Sequence, residues 1–152
     1  YIFTSEDDFK NKVSNDFFLE HALVHGNFYG TSKDFVETKI AEGINIILEI
    51  DVQGVQQIKS TNFPHESIFL LPPSIESLTE RLNERGTNSK ESIELRLSNA
   101  MKEIPSCKDY DHILVNDVFE DCCNDLARII TGEDSFPMNS KKELFLTKLL
   151  NS

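Results

Sequence analysis

Nine residues, IILEIDVQG from Ile46 to Gly54, decide how this chain of 152 residues reads. The run Ile44 to Ile50, interrupted only by Asn45 and Glu49, is apolar on both faces, as a strand inside a parallel sheet should be. Two acids, Glu49 and Asp51, stand at its carboxyl end, where open α/β sheets place ligand chemistry. Asp is also a favoured N-cap, so a role for Asp51 in capping a helix from Val52 onward stays open beside a ligand role. Gly54 lets the backbone come close to whatever binds there.

Outward from this run the same kind of strand recurs at Ile68 to Leu71 and at Ile113 to Val115, each followed by a helical pattern. Ile75, Leu78 and Leu82 share one helix face. Ile93, Leu97, Ala100, Met101 and Ile104 share a second, and Phe119, Cys122, Leu126, Ile129 and Ile130 a third. Strand and helix in alternation predict an α/β domain, and the length suits a single one. Thr4 and Ser5 ahead of three acids predict a helix over Glu6 to Ser14, after Tyr1-Ile2-Phe3 as the end of a strand. Residues 17 to 25 read as strand. Ser32 can cap a helix that carries Phe35, Val36 and Ile40 inward and stops at Gly43. Gly86 breaks the pattern, and Asn88 with Glu91 makes a capping box, so Arg85 to Ser89 is expected to be a mobile hairpin tip. Beyond a polar stretch after Thr131, Phe145, Leu146, Leu149 and Leu150 predict a docked C-terminal helix.

Upstream of the deciding run lies FLEHALVHGNFYGTS, Phe18 to Ser32. A carboxylate delivered by a strand, Glu20, can accept two hydrogen bonds from a ring N–H and an exocyclic amine, donors that guanine has and adenine lacks. The Gly26 to Gly30 turn is expected to bring the hydroxyls of Tyr29 and Thr31 near it, as neutral donors to a phosphate or a ring carbonyl.

Acidic residues outnumber basic ones by 26 to 15, for a formal net charge of -11, which argues against nucleic acid or an anionic membrane as partner. Three of the four arginines nevertheless cluster, at Arg81, Arg85 and Arg96. Arg81 and Arg85 are one helical turn apart, with Arg96 across the hairpin, so convergence on one anion is geometrically open. Exposed ion pairs with Glu80, Glu84 and Glu94 are the alternative. An odd cysteine count with an adjacent pair, Cys107, Cys122 and Cys123, suits a reduced cytoplasmic protein, and the four histidines show no ligand spacing. No apolar run approaches the roughly 20 residues needed to cross a bilayer.

In order along the chain, FLEHA, GNFYGTS, ILEIDVQGVQQI, FLLPPS, RLNERGTNSKESIELRL and ILVND closely resemble guanylate kinase, from Tyr1 to about Ile130. The resemblance implies an α/β, P-loop NTPase-like parallel sheet flanked by helices, with a small mixed α+β GMP-binding lobe and a helical lid. In this single domain the lobe would cover residues 1–43, the core 44–80 and 105–152, and the lid 81–104. It implies phosphoryl transfer from ATP to GMP, with Mg2+ accompanying ATP. Arg81, Arg85 and Arg96 would be the catalytic lid arginines. Tyr1 and Tyr29 would bind the GMP phosphate, and Glu20, Thr31, Glu49, Asp51 and Gly54 would complete the GMP site. No residue would ligate the metal directly, Asp51 reaching it only through water. The family's phosphate loop, GxxxxGK[ST], is not found in these 152 residues and is expected ahead of Tyr1, so this chain alone is expected to be inactive. The alternative reading is a non-catalytic guanylate-kinase-like module that binds protein partners. Loss of the loop favours it and the retained Arg81, Arg85, Arg96, Glu20 and Asp51 oppose it. An adenylate or thymidylate kinase relative is opposed by Glu20 and Thr31. Homo-oligomerisation is left open.

Overall fold

The computed structural model describes residues 2–24, 26–84, 89–133 and 147. Helix α1 spans Glu6–Ser14, as its capping pattern predicts. The Ser5 hydroxyl accepts the Asp8 N–H at 3.2 Å, and three acids in the first turn face the positive end of the helix dipole. Ile2 and Phe3 close no strand. Both are almost wholly exposed, because an apolar dipeptide becomes a strand only where a neighbouring backbone offers a ladder.

Strands β1 (Phe18–Val24) and β2 (Asn27–Ser32) form an antiparallel hairpin in which Val24 faces Asn27. Gly26, at φ 81°, precedes β2, which begins at Asn27 and so takes up most of the expected Gly26 to Gly30 turn. Gly30 lies inside β2, under the Phe18 ring; a Cβ there would meet Phe18 Cδ1 at 2.7 Å. Phe9 of α1 stacks on Phe18 and Phe28 with ring centroids 4.6 and 5.2 Å away, which fastens α1 to one hairpin face. A register shift between Phe18 and Glu20 lets the sequence neighbours Leu19 and Glu20 both be buried.

Helix α2 (Lys33–Ala41) starts at Ser32 and is followed by the left-handed Gly43, φ 78°, as expected. Only Val36 of its apolar residues is buried, at 2% exposure, whereas Phe35 and Ile40 remain 55% and 46% exposed. Two and a half turns laid on a two-stranded hairpin bury one narrow stripe rather than the three residues the pattern suggested. Residues 44 to 50 are irregular. The expected buried strand is not formed, since among the described residues it has no ladder partner, and Ile44 and Ile47 face outward while Leu48 and Ile50 are half-buried. Leu48 and Ile50, with Phe63, pack on a core of Leu19, Val36 and Ile58, the last from helix α3 (Val52–Lys59).

The chain divides into two compact units, Tyr1–His65, just described, and Glu66–Ser152. The second holds parallel strands β3 (Ile68–Leu71) and β4 (His112–Val115), paired residue for residue from Ile68 with His112 to Leu71 with Val115. Ser67 donates from its N–H and its hydroxyl to Asp111 Oδ2, at 2.8 and 2.5 Å, and so locks the head of the ladder. Between the strands run α4 (Ile75–Glu84), α5 (Lys90–Glu103) and a 3-10 segment (Ile104–Asp109); α6 (Phe119–Thr131) follows β4 and stops at the left-handed Gly132. This β-α-β order is the α/β organisation the sequence predicts. The core is Leu71, Ile104 and Cys107, with Phe69, Ile75, Ile113 and Val115 against it. Helix α5 is capped by Ser89, whose hydroxyl accepts the Ser92 N–H, rather than by the expected Asn88. Met101 and Phe119 are exposed instead of lying on inward faces. Tyr1, Arg85, Gly86, Asn88, Phe145, Leu146, Leu149 and Leu150 lie outside the described residues.

Candidate functional site

The hairpin register brings Glu20 opposite Thr31 and Ala22 opposite Tyr29. Side chains two apart on a strand share a face, so Glu20, Thr31 and Tyr29 belong to one face, opposite the one α1 covers. Glu20 is only 4% exposed, an unusual place for a carboxylate unless it is paired or hydrogen-bonded. Thr31 Oγ1 donates to Glu20 Oε1 at 2.5 Å. Tyr29 is largely exposed on the same face.

The first turn of α3 stands against the same carboxylate. A Cβ on Gly54 would lie 2.9 Å from Glu20 Oε2 and 3.2 Å from Ile50 Cβ, so the absent side chain is what admits the acid. Asp51 caps α3, its Oδ1 accepting the Gly54 N–H at 2.9 Å and its Oδ2 the Gln53 amide at 3.3 Å. The capping alternative is thus what the structure forms. Glu49 is exposed in the irregular segment and does not end a buried strand.

Gln57, one turn beyond Gly54, was assigned no role from sequence. Its side-chain Nε2 donates to the His21 carbonyl at 2.8 Å, and its Oε1 accepts the His21 N–H at 3.1 Å. The partners are 36 positions apart, so no local pattern announces the pair. A carboxylate has about four acceptor positions, and Glu20 therefore keeps capacity, beyond the Thr31 hydroxyl, for a ligand with adjacent N–H donors.

In the second unit, Arg81 Nη1 donates to the Asn116 carbonyl at 2.9 Å, just past the carboxyl end of β4. Arg96 is half-buried on α5, and its Nε is shut off from solvent with no acceptor among the described residues. Among the described residues neither arginine makes an ion pair, so the alternative of exposed pairs with Glu80, Glu84 and Glu94 is not formed. A buried unsatisfied guanidinium N–H costs free energy that a bound anion would relieve. Arg85 and Tyr1 lie outside the described residues. Among the described residues no cluster of three or more His, Cys, Asp or Glu could hold a metal, and no helix is long and apolar enough to cross a membrane.

A family model described as guanylate kinase matches residues 1–133, nearly nine-tenths of the chain. The chain belongs to the guanylate kinase family. It is 46% identical to the guanylate kinase of Escherichia coli (strain K12) over 134 residues, 88% of this chain and 64% of that protein. To the guanylate kinase of Buchnera aphidicola subsp. Acyrthosiphon pisum it is 40% identical over 152 residues, 99% of this chain and 73% of the relative. A solved structure of guanylate kinase from Anaplasma phagocytophilum superposes with a TM-score of 0.71 at 32% identity, covering 99% of this chain and 72% of that one. The fold is accordingly the α/β, P-loop NTPase-like fold of the guanylate kinase family. Against the E. coli relative, the chain spans 64% of the length, a little under two thirds.

Proposed function

We propose that this chain is the GMP-binding and lid portion of an ATP:GMP phosphotransferase, and the buried Glu20 carries that reading. Its carboxylate, hydrogen-bonded to Thr31 and seated on the space at Gly54, is an acceptor for the guanine ring N–H and exocyclic amine. Adenine offers no such pair of donors on that edge. Thr31 also fixes the carboxylate's rotamer, so little ordering is left to be done when the base arrives. Tyr29 is exposed on the same face, where a monophosphate can reach it, and the family resemblance assigns Tyr1, Glu49 and Asp51 to the nucleotide as well.

Transfer would then need positioning and charge neutralisation more than covalent chemistry. Among the described residues Arg81 and Arg96 have no acidic partner, and with Arg85, which the family resemblance assigns to the same lid over residues 81–104, they would meet the charge that develops on the transferring phosphoryl group. Magnesium would enter with ATP rather than reside on the protein. Both Asp51 oxygens already serve α3, and contact with the metal through a water is the role that donor set leaves open. A phosphate loop, wherever the protein carries one, would hold ATP. Cys107, Cys122 and Cys123 are free thiols, which suits the cytoplasm. A module that only binds protein partners gives no reason for a buried carboxylate clasped by a hydroxyl.

Calorimetric titration with GMP, AMP and IMP tests the reading. GMP should bind well ahead of AMP, and Glu20→Ala should abolish the difference. Equal binding of GMP and AMP by the unaltered protein would overturn it.

A further inference from the structure

We propose that Gln57 is a positioning residue for base choice, acting on Glu20 through the backbone of His21; this rests on the GMP reading above. Among the described residues strand β1 is paired on one edge only, with β2. On the other edge, at His21, both backbone groups are taken by the two ends of one side-chain amide, at 2.8 and 3.1 Å. Gln57 thereby does at one residue what a third strand would do along the whole edge. His21 is the next residue after Glu20, so fixing its peptide groups fixes the direction in which the Glu20 side chain leaves the strand.

The same helix face sets the acid from a second side. Gly54 and Gln57 are three residues apart, hence neighbours on α3, and Gly54 supplies the space that Glu20 Oε2 occupies. Helix α3 is itself held by Ile58 in the core and by the Asp51 cap. Its anchored face therefore gauges the distance between strand and helix at the carboxylate. A guanine edge needs two hydrogen bonds of good geometry at once, and these weaken steeply with misalignment. A strand edge released from Gln57 would lose the second bond before the first. The ligand that reports this is IMP, which keeps the ring N–H and lacks the exocyclic amine.

The test compares GMP and IMP dissociation constants for the protein and for Gln57→Met, which keeps volume and removes both hydrogen bonds, and Gln57→Glu, which keeps the acceptor for the His21 N–H alone. The unaltered protein should prefer GMP by about tenfold or more. Gln57→Met should lower that ratio at least about threefold, with Gln57→Glu between. Thermal melting of each variant confirms that binding is read on folded protein, and Gln57→Glu carries the comparison if Gln57→Met does not fold. A lowered melting temperature with an unchanged GMP to IMP ratio would make Gln57 merely structural and overturn the proposal. If Glu20→Ala erased the ratio in the same series, the GMP reading would stand without it. No preference for GMP over IMP in the unaltered protein would end both.

Discussion

At the scale of single residues, Glu20 and Gly54 are a matched pair. Burying a carboxylate costs several kcal/mol unless hydrogen bonds repay it, so Glu20 contributes little to folding and much to recognition. Glu20→Ala should weaken GMP by about 1 to 3 kcal/mol while changing stability less, as read by calorimetry beside urea denaturation. Gly54→Ala gains up to about 1 kcal/mol of helix propensity, but its Cβ would sit 2.9 Å from the Glu20 carboxylate and 3.2 Å from Ile50 Cβ. The carboxylate end can swing away and the Ile50 Cβ cannot. The expected outcome is a fold within about 2 kcal/mol of the original and GMP affinity reduced at least tenfold; unchanged affinity would dissociate Gly54 from the site. Cys107 has a different consequence. It is fully buried, and burial is the main cause pushing its thiol above the ordinary range. The folded state thus holds this proton more tightly than the unfolded chain, so its contribution is intact below about pH 8.5 and is lost as pH rises toward the raised folded value. Cys107→Ala should flatten the alkaline limb of the stability profile, and in thiol-reagent titrations exposed Cys123 should react before Cys107.

At the scale of elements, helix α3 is only eight residues long, too short to persist without its cap and its packing. Asp51→Ala should cost about 0.5 to 2 kcal/mol in urea denaturation, and Asp51→Asn much less, because the amide oxygen still accepts the Gly54 N–H. Equal losses for the two variants would show that charge, not capping, matters there. Helices α1 and α2 were legible at their starts for the same local reason: a hydroxyl followed three residues later by a free N–H. The segment 44 to 50 was not. Its composition states that it can be covered, whereas a strand requires another backbone at hydrogen-bonding distance, and side chains do not encode which backbone that is. Likewise the first strand was legible in residues 17 to 25, but not the strand Asn27–Ser32 that pairs with it. Thr31 stands against Glu20 as expected, whereas the register sets Tyr29 two residues further along, opposite Ala22.

Across the whole molecule, a net charge of -11 implies self-repulsion that salt relieves. Raising NaCl from about 10 mM to about 150 mM shortens the screening length from roughly 30 Å to roughly 8 Å, so the melting temperature should rise. A fall would mean that the exposed ion pairs, such as Lys10 with Glu6, outweigh the repulsion, although such pairs are each worth only about 0 to 1 kcal/mol. The sequence by itself determined the α/β class, the helix caps at Ser5, Ser32 and Gly43, and the family, because these depend on residues within a few positions of one another or on motifs in fixed order. Only the tertiary structure decided that Arg96 buries a donor with no acceptor among the described residues, and that Gln57 grips His21, 36 positions away. Each of these turns on which groups meet across tens of residues, a matter settled by packing and by the hydrogen-bond demands of buried backbone rather than by any residue's own preference.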